Sequence, residues 1–193
     1  MPGSIKSRRW DTNRGCAMSK ADAVEKAKKV KFVILDIHGI MTDNTLYYTQ
    51  EGMKSEAFSL KDKEGIKALM DEGIGVSFLT SKISRADEAM GKIYGLPQEN
   101  LWGSSAKIAL VEEFQKKTGL KDEELCYVGD EMIDLGMMRK AGFSVAPADA
   151  SQEARDVADY VTTVGGGKGV VRELAQFILE AQGKWDAFVA QFK

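Results

Sequence analysis

Several apolar runs in this chain end in side chains that can do chemistry. Asp36 closes the run KFVILD, and His38 follows it. Thr80 and Ser81 close IGVSFLTS, with Lys82 next. Lys107 sits in SSAKIAL, and Asp130 and Asp134 follow LCYVG. One aspartate after a strand is an ordinary turn residue. Two carboxylates that converge with a lysine and a hydroxyl are what Mg²⁺-assisted phosphoryl transfer requires. Mg²⁺ takes oxygen ligands, commonly one or two carboxylates plus substrate phosphate. Lysine and hydroxyl donors stabilise the phosphoryl oxygens as charge spreads over them. Each group also has a plainer reading: Thr80 as a strand-end hydroxyl, Lys107 as a solvated helix lysine, Asp134 as a cap of its own helical turn.

The elements that would bring these groups together follow from the pattern. A near-continuous apolar run over 31–37 reads as a buried parallel strand. Ser19 and Asp22 resemble a capping box ahead of a short helix over 20–29. TLYYT and MKSEAFSL flank Gln50-Glu51-Gly52, which reads as a β-hairpin spanning 45–60. Helix and strand then alternate: helices over 62–72, 84–94, 105–118, 131–140 and 168–183, strands over 74–79, near Leu101, over 125–128 and 143–146, and near Tyr160. Gly73, Gly95 and Gly119 stand just past helices, where a left-handed residue ends them. The expected fold is therefore α/β, a doubly wound parallel sheet of Rossmann-like type with a β-hairpin appendage, and ligands bind at the carboxyl ends of its strands.

Composition narrows the classes. With 193 residues, 44% of them apolar, the chain has material for one domain with a sizeable core. A net charge of −2 with the signs interspersed gives no basic surplus for nucleic acid. No apolar run approaches the roughly 18 residues of a membrane span. Cys16 and Cys126 stand far apart without metal-ligand spacing, which suits a reducing cytoplasm better than a disulfide framework. Residues 1–18 lack periodicity and read as a disordered leader, 19–184 as the domain, and 185–193 as a C-terminal tail.

The motifs also carry a resemblance. VILDIHGIMTD resembles the first motif of the haloacid dehalogenase superfamily, an apolar strand followed by D-x-D-G-x-x-T/V, with His38 in place of the second aspartate. FLTSK is similar to its second motif, SSAKIAL to its third and YVGDEMID to its fourth. The branch of 3-deoxy-D-manno-octulosonate 8-phosphate phosphatases is closest in pattern, through the hairpin, Phe58 to Asp62, APADASQEARDVADYVT, and Gly166 to Glu173. The resemblance implies the haloacid dehalogenase fold, with Asp36 as nucleophile forming an aspartyl-phosphate. It implies Mg²⁺ held by Asp36, the backbone carbonyl of His38 and Asp130, with Asp134 orienting the metal's waters or Lys107. Thr80 and Lys107 would bind phosphoryl oxygens.

The intervals 37–79 and 81–106 are filled by the hairpin, helices and short strands, which leaves no room for a cap domain. A capless site is open to water. The family it resembles resolves this by forming homotetramers in which neighbouring subunits close each site; Tyr47, Tyr48 and Phe58 offer aromatic surface for such a contact, or else simply cover their own sheet. The run Gly165-Gly166-Gly167-Lys168-Gly169 lacks the G-x-x-x-x-G-K-[ST] pattern of a nucleotide loop, although a glycine-rich turn before a helix can present N–H groups to an anion. Ser81, Lys82 and Lys61 are candidate substrate-binding residues, the lysines as partners of a substrate carboxylate where the branch has arginine. Lysine lacks arginine's bidentate fork, and Lys63 and Glu64 depart from the branch's D-G-x-G stretch. A nine-carbon 2-keto acid phosphate is thus an alternative to the octulosonate.

His38, the sole histidine, stands where the superfamily's second aspartate protonates the leaving alcohol and then activates water. An imidazole can do both near neutral pH. It is also longer and differently aimed than a carboxylate, which would suit a site that binds phosphate yet hydrolyses slowly. A substitution unrelated to native chemistry is a third reading. The function expected is Mg²⁺-dependent hydrolysis of a phosphorylated 2-keto-3-deoxy sugar acid. The alternative is a catalytically weak phosphatase-fold module for oligomerisation or ligand binding.

Overall fold

The computed structural model describes residues 19–52 and 54–192; the segment read as a leader lies outside the described residues. Along the chain, α1 (Lys20–Ala27) leads into β1 (Phe32–Leu35), followed by the antiparallel pair β2 (Tyr47–Tyr48) and β3 (Lys54–Ser55). Then come α2 (Leu60–Asp71), β4 (Gly75–Thr80), α3 (Arg85–Ile93), β5 (Leu101–Gly103), α4 (Lys107–Thr118) and β6 (Leu125–Val128). The chain continues through α5 (Leu135–Lys140), β7 (Phe143–Ala146), α6 (Gln152–Val157), β8 (Tyr160–Val161), α7 (Val170–Ala181) and α8 (Trp185–Ala190).

All four residues of β1 are buried, as a strand covered on both faces requires. It lies at the middle of a six-stranded sheet of order β5-β4-β1-β6-β7-β8, and every neighbouring pair is parallel. Alternate residues face opposite layers. Val33 and Leu35 join Ile66 and Leu69 of α2 and Val171, Leu174 and Ile178 of α7. Phe32 and Ile34 join Val111 of α4, Met137 and Met138 of α5 and Ala154 of α6. The register pairs Leu35 with Phe78 on one side and with Val128 on the other. The residues after these positions therefore emerge together at the carboxyl edge, which is where Asp36, Thr80 and Asp130 stand.

Three segments differ from the sequence reading. The expected helix over 131–140 is a 3₁₀ turn, Met132–Asp134, followed by α5. A short helix, α6, precedes β8, capped by the Ser151 hydroxyl accepting from the Ala154 N–H at 3.3 Å. The expected tail carries α8, whose Phe188 is buried against the core beside Trp185. Six-residue helices are stabilised by packing and carry too few turns to show a period.

The glycine-rich run ahead of α7 does present N–H groups to an anion, and that anion is the chain's own Asp62. Its fully buried carboxylate accepts from Gly169 N (3.1 Å), Val171 N (2.7 Å) and Arg172 N (3.3 Å). Burial pushes the Asp62 carboxyl up to about 6, against the pull of those three N–H groups. Beside it α2 and α7 touch at Gly65, where a Cβ would fall 2.6 Å from the Val171 carbonyl. Replacing Asp62 by alanine strands the first-turn donors of α7, so unfolding in urea should show a loss of about 1–3 kcal/mol; an unchanged midpoint would remove Asp62 from this role.

Candidate active site

Asp36 extends β1 by one residue, its N–H bonding Val128 O at 3.0 Å. The loop that follows coils back, with Met41 N reaching Ile37 O at 2.8 Å and Gly39 at φ +85°. That left-handed glycine is needed on two counts, because a Cβ there would also lie 2.0 Å from Asp130 Oδ2. The glycine run braces this loop from behind. Gly167 N donates to Ile40 O at 2.9 Å, and a Cβ on Gly166 would fall 2.1 Å from Gly39 O. Its place in the fold is thus structural support for the Asp36 loop and for the start of α7.

Lys107 is the first residue of α4, and that first turn aims its ammonium into the sheet edge. Nζ donates to Asp36 Oδ1 at 2.6 Å, to Asp134 Oδ1 at 2.8 Å and to the Tyr127 hydroxyl at 3.1 Å. Tyr127 in turn donates to Asp134 Oδ1 at 2.5 Å. Asp134, fully buried, uses its other oxygen to accept from the N–H groups of Asp130 (3.3 Å) and Glu131 (3.4 Å). It can approach because residue 129 is glycine, where a Cβ would sit 2.5 Å from Asp134 Cβ. Burial alone would lower the pKa of Lys107, yet the Asp36 and Asp134 charges and hydrogen bonds overcome this and raise it, so the ammonium persists.

Asp36, Asp130 and Asp134 form a buried cluster whose nearest carboxylate oxygens all lie within 4.8 Å of one another. Burial, then the Asp134 charge, lift Asp36 to about 6 in spite of Lys107. Burial, then the Asp36 and Asp134 charges, lift Asp130 to about 7. One ammonium against three carboxylates leaves an excess of negative charge in a poorly solvated place. This oxygen-only donor set fits a hard divalent cation such as Mg²⁺.

The cleft above the cluster has a volume of about 350 Å³ and is lined by Asp36, His38, Thr80, Ser81, Lys82, Lys107 and Asp130, together with Asn44, Glu131 and Ile133. Lys61 is not brought there: it lies exposed on the first turn of α2, its side chain near Gly169. Asp134 lies beneath the cleft floor. Tyr127 was hidden from sequence reasoning by its place inside an apolar strand. Asn44 left a trace only in structure, as the non-glycine residue with positive φ (60°) among those described.

Because Asp36 and Asp130 have folded pKa values above those of free carboxylates, the folded protein retains protons that the unfolded chain has released. Their ionisation therefore costs stability, fully above about pH 7, and the cost is relieved as pH falls through about 7 and 6 toward ordinary carboxylate values. Asp62 acts with the same sign, so the contrast with an Asp130→Asn variant isolates the cluster. In chelator, the parent's thermal midpoint should rise from pH 8 to pH 5.5 more steeply than the variant's. Mg²⁺ should raise the parent's midpoint more at pH 8 than at pH 5.5. Parallel curves for the two proteins would contradict this electrostatic account.

Comparison with known proteins agrees with this geometry. Residues 103–174 match the family of haloacid dehalogenase-like hydrolases. The 3-deoxy-D-manno-octulosonate 8-phosphate phosphatase of Escherichia coli (strain K12) is 35% identical over 167 residues, covering 86% of this chain and 88% of that protein. The Moraxella catarrhalis enzyme of the same name, solved with magnesium, phosphate and the sugar acid KDO, superposes with a TM-score of 0.85 at 33% identity, over 91% of this chain and all of that one. The cobalt-bound Haemophilus influenzae phosphatase has a TM-score of 0.78 at 34% identity, over 86% of this chain and 97% of that one. This chain therefore belongs to the haloacid dehalogenase-like hydrolases, in the branch that contains the 3-deoxy-D-manno-octulosonate 8-phosphate phosphatases.

Proposed function

We propose that this protein is a Mg²⁺-dependent, cytoplasmic phosphatase of a phosphorylated 2-keto-3-deoxy sugar acid, an octulosonate 8-phosphate or nonulosonate 9-phosphate, acting through an aspartyl-phosphate on Asp36. The observation that carries this is the buried contact of 2.6 Å between Lys107 and Asp36, with Asp130 alongside. The names of the relatives support the sugar acid.

Lys107 holds Oδ1 of Asp36, which leaves the other oxygen to attack phosphorus in line with the leaving alcohol. Thr80 and Lys107 bind the phosphoryl oxygens. The carboxylates of Asp36 and Asp130 and the backbone carbonyl of His38 would hold Mg²⁺, which when bound offsets the charge of the phosphoryl group. As the ester P–O bond breaks, protonated His38 gives its proton to the departing alkoxide. Neutral His38 then takes a proton from the water that attacks the aspartyl-phosphate, releasing phosphate and restoring the Asp36 carboxylate. Asp134, bonded to Lys107, to Tyr127 and to the Asp130 and Glu131 amides, keeps the ammonium aimed. Lys82, beside Ser81, is the cleft lysine that could meet the substrate carboxylate.

Among the described residues no cap covers this open cleft, and Tyr47 and Tyr48 of the hairpin are exposed. These features support a homotetramer in which a neighbouring subunit completes the enclosure. Light scattering should give four chains per particle, and a stable monomer at micromolar concentration would refute that assembly.

Phosphate release should be faster on 3-deoxy-octulosonate 8-phosphate or its nine-carbon analogue than on hexose phosphates. It should vanish in Asp36→Asn and fall about 10²-fold in His38→Asn. Equal rates on acidic and neutral sugar phosphates would sink the substrate assignment. Parent-like turnover in His38→Asn would remove the imidazole from proton transfer. Turnover confined to His38→Asp would make the chain a phosphatase-fold module that has lost its chemistry.

A further inference from the structure

A second group of ligand atoms lies where the hairpin, the Asp36 loop and the start of α3 meet. His38, Glu56 and Asp87 each offer one donor atom, all within 4.8 Å of one another. The Glu56 side chain is only 2% exposed, and Asp87 is fully buried. Asp87 Oδ2 accepts from Ser84 N at 2.7 Å in the capping box of α3, but its Oδ1 accepts no hydrogen bond. Glu56 is more exceptional. Lys54 Nζ and His38 Nε2 lie 2.9 and 3.2 Å from Oε1, yet neither carboxylate oxygen accepts a hydrogen bond of good geometry.

Glu56 Oε2 and Asp87 Oδ1, buried carboxylate oxygens on two neighbouring acids, accept no hydrogen bond, which is costly unless a cation joins them. Lys54 compensates in part. It is on the exposed hairpin, its side chain 39% accessible, and its ion pair reaches Oε1 alone. One ammonium against two carboxylates still leaves a negative charge. The donor set distinguishes this place from the Asp36 cluster. One imidazole nitrogen with two carboxylates suits Zn²⁺ or another first-row transition ion, whereas three carboxylates suit Mg²⁺.

We infer that His38, Glu56 and Asp87 form a second divalent metal site, selective for a transition ion such as Zn²⁺, which ties the hairpin to the Asp36 loop at the rim of the cleft. Its ion displaces the Lys54 ammonium from Glu56 and takes the His38 imidazole as a ligand. Occupancy withdraws that ring from proton transfer, so the site gives a transition metal control over a residue lining the cleft. The inference goes beyond the phosphatase reading, and its test needs no turnover, so either can fail alone.

The experiment is Zn²⁺ titration by calorimetry of full-length Asp130→Asn protein, stripped with chelator, with circular dichroism checking the fold of every variant. The Asp130 change disables the carboxylate cluster, so one Zn²⁺ per chain should remain. Adding Glu56→Gln, Asp87→Asn or His38→Asn should weaken that binding at least tenfold. Adding Lys54→Met, on the exposed hairpin, should tighten it by removing the competing ammonium. Absence of Zn²⁺ binding up to 100 µM, affinity unchanged by Glu56→Gln, or binding not tightened by Lys54→Met would each overturn the site. Should Asp87→Asn unfold, the Glu56 and Lys54 variants still decide the matter.

Discussion

A buried ammonium, Lys107, is shared between Asp36 and Asp134, and the arrangement of the sheet edge depends on it. Carboxylates crowded in a poorly solvated place repel one another and favour protonation. The lysine bonds two of them, Asp36 at 2.6 Å and Asp134 at 2.8 Å, and opposes the rise of the Asp36 pKa, which reaches about 6, while Asp130 stands outside its hydrogen bonds and reaches about 7. The cluster is thus asymmetric: one carboxylate bonded to an ammonium at the base of the cleft, one fully buried and bonded to the same ammonium, and one outside that ammonium's hydrogen bonds. That asymmetry suits a site in which one aspartate attacks and another binds metal.

The asymmetry has its own scaffold. Lys107 reaches the edge because α4 begins there, and Asp134 meets it because a 3₁₀ turn, rather than a continuous helix, follows Asp130. Gly39 and Gly129 remove the Cβ atoms that would collide with Asp130 and Asp134. Gly166 and Gly167 let a second loop press against the Asp36 loop. Asp62 ties that second loop to α2 through the first turn of α7. A chain of close backbone approaches thus runs from the far helices to Asp36, and the GGGKG run belongs to it.

Much of this was legible from the residues. The apolar runs gave the strands, and the residues ending them gave Asp36, Thr80 and Asp130, because in a parallel sheet strand ends and ligand sites coincide. What escaped was long-range or short. Tyr127 looks like any core residue until its hydroxyl is seen to meet Asp134 and Lys107. Glu56 and Asp87 sit in unrelated segments, and nothing in a linear pattern says that their oxygens face the same imidazole. Lys61 illustrates the converse: a plausible charge beside the right motif, carried by the helix to a place away from the cleft. The six-residue helices α6 and α8 are fixed by Ala154 and Phe188 entering the core, and a contact of that kind has no signature in local sequence.

His38 is where the two halves of the chemistry meet. A carboxylate at that position would stand against Glu56, and two close acids in a partly buried place would repel one another. An imidazole converts that repulsion into attraction when protonated and into a shared ligand set when a metal is present. The identities of residue 38 and residue 56 are therefore coupled by simple electrostatics: histidine at 38 spares the buried Glu56 a like-charged neighbour 3.2 Å away. Lys54 adds an ammonium from the hairpin, so the charge at the rim of the cleft is set by residues outside the motif that carries Asp36. Restoring aspartate at 38 would place a second acid opposite Glu56, with the Lys54 ammonium shared against both. Its effect on turnover therefore depends on Lys54 as much as on the missing carboxylate.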